Sequence, residues 1–203
     1  MAEYKLEKVD DHHFKVIKDN QHAYNLWFKS KAWSCSCPAR KTCKHLAMLP
    51  PEVQVKRYPR TDIEEAYQSF ITLLYPYKHT IVGSYRRGSK DSKDLDIIVL
   101  CDVKTFLSLR VQFELTFGIT VIAGGDMKIT GTVFGIPFDL DRIDNPNFYA
   151  AHLLYRTGPA SLNIKMRQLA RDMGCILNEK VTANSEEEIF KMVGMDYIPP
   201  EER

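Results

Sequence analysis

Asp94 and Asp96 stand one residue apart at the head of the apolar run Leu95–Leu100. On an extended strand residues i and i+2 point to one face, so the two carboxylates lie side by side and require a cation. Oxygen ligands of this kind suit Mg²⁺, or Mn²⁺ in its place, which keeps waters and shares its shell with the phosphates of a nucleoside triphosphate. Upstream, Gly83 and Ser84 follow the apolar pair Ile81-Val82. Backbone N–H groups and a hydroxyl at such a strand-to-helix turn are the expected place for phosphate oxygens. Arg86, Arg87, Lys90 and Lys93 add positive charge around them. Two metals bridging an attacking and a leaving oxygen require a third carboxylate, and "GIPFDLDRI" offers Asp139 and Asp141 on one face of a second strand. One of them would deprotonate the attacking hydroxyl. A lone DxD is a weak signal, but Gly-Ser, basic residues, DxD and a later strand aspartate in this order point to nucleotidyl transfer.

A second constellation is Cys35-x-Cys37-x5-Cys43-x-His45 in "WSCSCPARKTCKHLAML". Three thiolates and an imidazole suit tetrahedral Zn²⁺ with no open position, so one structural ion is expected. Five cysteines, an odd number with three of them in nine positions, argue against a disulfide framework and for a reducing compartment. Cys101 and Cys175 sit among apolar residues and are expected to be core thiols. His12, His13, His22, His79 and His152 form no cluster and read as surface or packing residues, and Trp27 and Trp33 as the small core of the cysteine-rich module.

The elements that position these groups follow from composition and periodicity. A chain of 203 residues, 44% hydrophobic and 27% charged, can form one good core plus a small appendage. No apolar run approaches the ~20 residues of a membrane helix, and "MAEYKLEKVDDHHF" lacks a signal-peptide core, so an intracellular protein with no membrane partner is expected. Residues 1–60 carry 12 Lys and Arg against 6 Asp and Glu, whereas residues 61–203 carry 16 against 20. The N-terminal part is thus a basic patch suited to a polyanion. The chain divides near "LPPEVQVKRYPR". Before it, "HHFKVIKDNQHAYNLWFKS" alternates apolar and polar positions on either side of Asp19-Asn20, which predicts a β-hairpin. After it, "TDIEEAYQSFITLLY" has helical periodicity and a Thr61…Glu64 capping box. Strands are predicted at 80–82, 94–101, 119–122, 128–134 and 138–143, with a helix at 104–115. The fold class is α+β: a palm-like sheet, then a mostly helical C-terminal third.

"GSYRRGSKDSKDLD" resembles the nucleotidyltransferase signature of the family X DNA polymerases, the polymerase β and terminal transferase group. "FYAAHLLYRTGPASLNIKMRQLA" is similar to the segment that ends the palm and starts the thumb in that family, and "SEEEIFKMVGMDYIPPEER" to its C-terminal end. The resemblance covers residues 54–203. It implies metal ligation by Asp94, Asp96 and Asp139, with Asp141 as the alternative third ligand, and phosphate contacts from Gly83, Ser84, Arg87 and the Arg57 of "KRYPR". Tyr155 and Gly158 would frame the sugar, Asn163 would reach the minor-groove edge of the incoming base, and Arg167 the template strand. Lys93 stands where these enzymes often have glycine, and Arg156 replaces the second aromatic of the sugar turn.

Polymerase β carries a helical lyase domain and helix-hairpin-helix motifs before its palm, and neither pattern occurs here. Instead C-x-C…C-x-H resembles the SWIM zinc finger, including the preceding hairpin and a following helix from Lys44-His45. The organisation expected is a SWIM-like module at 1–50, a nucleotidyltransferase palm at 51–145 and a helical/β thumb at 146–203. Such a chain would be a DNA-directed DNA polymerase using two Mg²⁺ (or Mn²⁺) ions and one Zn²⁺, acting as a monomer on primer-template or gapped DNA with deoxynucleoside triphosphates in repair. The alternatives are a template-independent nucleotidyltransferase acting on RNA or protein hydroxyls, and a non-catalytic DNA-binding module.

Overall fold

Alternation with period two builds the N-terminal sheet. A computed structural model of the chain describes residues 4–10, 13–19, 21–29, 32–37, 43–49 and 56–203. Strands β1 (Tyr4–Asp10), β2 (His13–Lys18), β3 (Gln21–Lys29) and β4 (Ala32–Cys35) pair antiparallel in sequential order. Phe14, Val16 and Leu26 point to one face and form a small core with Leu49, packed by Tyr4, Leu6, Tyr24, Cys35 and Leu46. The expected β2–β3 hairpin is present, and Asp19 takes the positive φ of 48° that its turn needs. Two further strands enlarge the hairpin to a sheet. The helix expected from Lys44 is only a short 3₁₀ turn at Leu46–Met48 among the described residues. His12 lies outside the described residues, as do the side chains of His22, Trp27 and Trp33.

The chain divides into two compact units, Met1–Lys56 and Arg57–Arg203. In the second, β5 (Tyr58–Pro59) pairs with β7 (Asp91–Ser92), and a five-stranded sheet runs in the order β6 (Lys78–Ile81), β8 (Leu95–Leu100), β11 (Ile136–Ile143), β10 (Lys128–Val133), β9 (Ile119–Gly124). Only β8 and β11 are parallel neighbours in it. Helices α1 (Arg60–Leu74) and α3 (Val103–Leu115) supply Phe70 and Phe113 to one face, where both rings stand edge-on to Phe138 of β11 at 4.9 and 6.2 Å. Leu95, Ile97 and Val99 point to that face, so Asp96 and Ile98 point to the other, towards α4 (Tyr149–Thr157). Helices α2 (Gly83–Arg86), α5 (Ala160–Asp172) and α6 (Glu186–Met192) complete the unit, and α4, α5 and α6 share a second core around Leu154, Met166 and Phe190.

Four further expectations need correction. Helix α1 begins at Arg60 after Pro59, so Thr61 lies inside the first turn and its hydroxyl donates to Asp62 at 3.2 Å instead of capping. Pro137, which lies between the predicted strands 128–134 and 138–143, belongs to β11; β8 pairs with β11 only from Phe138 onward, which leaves no neighbour on that side to miss the proline N–H. The turn is Phe134-Gly135, with φ of 48° and 79°. Residues after Ile143 contain no strand, so the C-terminal segment is helical rather than helical/β. Cys175 is exposed because it follows Gly174, which ends the turn after α5 and directs the chain to the surface; only Cys101 is a buried thiol, pushed up to about 11 chiefly by burial.

Candidate active site and metal centres

The strand register brings the aspartates together. In the parallel pair, Asp139 of β11 stands opposite Asp96 of β8, and Asp94 precedes β8 by one position on the same face as Asp96. One carboxylate oxygen from each of Asp94, Asp96 and Asp139 lies within 4.8 Å of the others. Asp94 and Asp96 are half-buried and Asp139 is buried. Three converging carboxylates are a donor set that fits hard divalent cations. Asp141, two residues on, takes another partner: Arg156 Nη2 donates to its Oδ1 at 2.8 Å. Lys128 Nζ lies 2.9 Å from Asp139 Oδ2.

Gly83 lets α2 start against this cluster. It has φ of +64°, and a Cβ there would overlap the Asp96 carboxylate. The Val82 N–H donates to Asp96 O at 2.8 Å, which fixes the approach. Ser84 Oγ donates to buried Ser92 at 2.8 Å, so its hydroxyl is engaged. Arg87 Nη1 donates to the Thr157 carbonyl; burial pushes its guanidinium down, and the Asp96 charge opposes this. Gly158, with φ of +68°, passes close to that same guanidinium: a Cβ on it would lie 3.4 Å from Arg87 Nη1. Arg57 is held by Asp91, its Nε donating to Oδ1 at 2.5 Å.

These groups surround an open cleft of about 440 Å³. Asp94, Asp96, Gly83, Ser84, Arg57 and Arg87 line one part, with Ser89 and Lys93, and Tyr155–Ala160 with Asn163 the other. Asn163 Nδ2 donates to the Tyr155 carbonyl at 3.0 Å. Arg167 is not among the lining residues; it stacks 4.6 Å over the Tyr155 ring and pairs with Glu179 at 3.2 Å. Burial pushes the Tyr155 phenol up, and Arg167 opposes the shift. Beneath the cleft, Arg86 binds Glu186 through both terminal nitrogens, at 3.0 and 2.5 Å, and donates to Thr157 Oγ1 at 2.7 Å. Arg203 Nη1 donates to the same Glu186 at 2.8 Å.

The sequence reading missed Lys128, Thr157, Glu186 and Arg203. Glu186 carried a signal, since it is the first acidic residue after Ser185, whose hydroxyl caps α6 by accepting from Glu188 N at 3.3 Å. The others depend on contacts across strands and cores, which periodicity does not encode.

In the N-terminal unit, one ligand atom from each of Cys35, Cys37, Cys43 and His45 lies within 4.8 Å of the others. Cys37 and Cys43 sulfurs are 3.3 Å apart, and His45 Nδ1 is 3.7 and 3.6 Å from Cys35 and Cys43. Tetrahedral bonds of about 2.0 to 2.3 Å to one zinc ion give neighbouring ligands separations of this size, so the donor set fits. Tyr24 and Tyr4 flank the imidazole at 4.7 and 5.3 Å between ring centroids. Burial pushes the Cys35 thiol up, whereas hydrogen bonds from its neighbours hold the Cys43 thiol down.

Residues 152–203 match the family described as DNA polymerase beta thumb. The chain is also similar to the DNA polymerase/3'-5' exonuclease PolX of Bacillus subtilis (strain 168), with 32% identity over 155 residues. That alignment takes in 70% of this chain and 26% of the relative, so the chain spans about a quarter of its length. No described helix is long and apolar enough to cross a membrane.

Proposed function

We propose that the chain is a family X DNA polymerase that adds deoxynucleotides to a primer 3′-hydroxyl under the direction of a template. The observation that carries this reading is the convergence of Asp94, Asp96 and Asp139 within 4.8 Å beside a cleft that also holds Arg57 and Arg87. The thumb match and the PolX similarity support it.

In this reading Asp94, Asp96 and Asp139 would hold the divalent ions. When bound, the ions neutralise the triphosphate and lower the pKa of the primer hydroxyl. Asp139 accepts the hydroxyl proton, Arg57 and Arg87 orient the triphosphate with backbone N–H groups at Gly83 and Ser84, and attack in line expels pyrophosphate. Tyr155 and Gly158 bound the sugar, and Asn163 faces the base edge. Arg167 reaches the template only after exchanging its Glu179 partner. Arg156, in place of the second aromatic of the sugar turn, is paired with Asp141, so the wall it offers the sugar is a tethered guanidinium. Cys35, Cys37, Cys43 and His45 hold one structural zinc ion in a SWIM-like module that adds basic surface for DNA.

The Phe134-Gly135 turn, too short to stand in for a template strand, supports the templated reading. The test is primer extension on gapped, nicked, recessed and single-stranded DNA with each of the four deoxynucleotides. Mg²⁺-dependent incorporation of the complementary nucleotide on a one-nucleotide gap is expected. Equal use of all four nucleotides would favour a template-independent transferase, and no incorporation with either Mg²⁺ or Mn²⁺ would sink the enzymatic reading.

A further inference from the structure

The carboxylate cluster carries its own cation on a fixed mount. Lys128 Nζ lies 2.9 Å from Asp139 Oδ2, with the lysine side chain 39% and the aspartate 9% exposed. The contact is diagonal across the strands, since Lys128 stands opposite Asp141 and Thr130 opposite Asp139. Asp141, the direct neighbour of Lys128 across the strands, is bound by Arg156. The turn that precedes Lys128 is clamped by two arginines. Arg142 Nε donates to Asp126 O at 2.5 Å and its backbone N–H to Met127 O at 2.8 Å, and Arg110 Nη1 donates to Gly124 O at 2.9 Å. The lysine backbone is therefore held, while its side chain is exposed enough to move away.

We propose that Lys128 is an exchangeable counter-cation of Asp139: it occupies Oδ2 in the metal-free protein, is displaced when a divalent ion enters the Asp94–Asp96–Asp139 cluster, and so limits the affinity of the cluster for that ion. The proposal rests on the reading of this cluster as a metal site. A positive charge this close to a ligand oxygen opposes a divalent cation, and burial of Asp139 weakens the screening by solvent. In the metal-free protein the same charge reduces repulsion among the three carboxylates and keeps them converged. Lys128 is thus a positioning residue that acts through Asp139. Among the other cations near the cluster, Arg57, Arg87 and Lys93 line the same cleft and Arg156 pairs with Asp141.

The test is direct binding of Mn²⁺, followed by loss of the free-ion electron paramagnetic resonance signal, on the full zinc-loaded chain without nucleotide or DNA. Lys128→Met is expected to bind Mn²⁺ tighter by about threefold or more, and Lys128→Arg to stay near the parent. Lys128→Gln serves the same purpose if the Met variant does not fold. In an Asp139→Asn background the gain from Lys128→Met should vanish. Unchanged or weaker Mn²⁺ binding in both neutral variants overturns the proposal while leaving the metal site intact. If Asp139→Asn alone leaves Mn²⁺ binding unchanged, the reading of the cluster as a metal site fails, and the proposal with it.

Discussion

The neighbours of a carboxylate decide what it can do, and β11 presents two outcomes within three residues. Asp139 faces Asp94 and Asp96, whereas Asp141 is bound to Arg156. Asp96→Asn removes charge from a cluster whose proposed role is to concentrate metal and stabilise developing charge, so primer extension should fall by about 10²-fold or more with DNA binding largely retained. Turnover close to the parent value would remove Asp96 from the mechanism. Arg156→Phe exchanges a tethered guanidinium for a rigid ring and should sharpen discrimination against ribonucleotides; an unchanged ratio of ribonucleotide to deoxynucleotide incorporation would end that role. Asp94 and Asp96 were legible because strand period alone puts them on one face. The third carboxylate was not separable from its neighbour by the same rule, since Asp139 and Asp141 share a face as well. What separates them is the parallel register with Asp96 and the reach of Arg156 from another element.

Each element keeps its functional groups in place by a different means. The N-terminal sheet has a core of only four buried residues among those described, Phe14, Val16, Leu26 and Leu49, so a metal clip has much to add. Chelation of zinc or Cys35→Ser should unfold this unit while the cooperative melting of residues 57–203 persists; circular dichroism with zinc analysis of the purified protein decides it, and a metal-free preparation with unchanged melting refutes the structural role. In α6 Ser185 caps the helix, whereas the similar pattern at Thr61…Glu64 goes unused because α1 begins at Arg60, two residues before a Thr61 cap would start it. Glu186, 4% exposed, is bound by Arg86 and Arg203 at once. Glu186→Gln leaves two guanidinium groups without their counter-charge and should cost about 3 kcal/mol in urea unfolding. A loss within error of zero would mean that Thr157 and the aromatic rings beside Arg203 suffice.

Across the Arg57–Arg203 unit, the cleft draws on two hydrophobic cores: the sheet with α1 and α3 supplies the aspartates, and the helices α4, α5 and α6 supply Tyr155, Gly158 and Asn163. Sequence periodicity located the five strands of the main sheet and the helices α1 and α3, but not the short pair β5 and β7, the bounds of α4, α5 and α6, or the order β6-β8-β11-β10-β9, because strand order depends on which distant faces match. The connection between the cores has a consequence for how the protein responds to ionic strength. Arg203 is fully buried in the side chain, Glu186 nearly so and Arg86 largely so, whereas Arg57, Asp91 and Arg156 stand partly in solvent. Mobile ions screen the second group and scarcely reach the first. Raising potassium chloride should therefore weaken DNA binding steeply, with a linear fall of log affinity against log salt, while the melting temperature of this unit stays almost level. Activity lost at high salt should then return when DNA is supplied in excess, because the ions compete for the surface of the protein and leave its internal joint untouched.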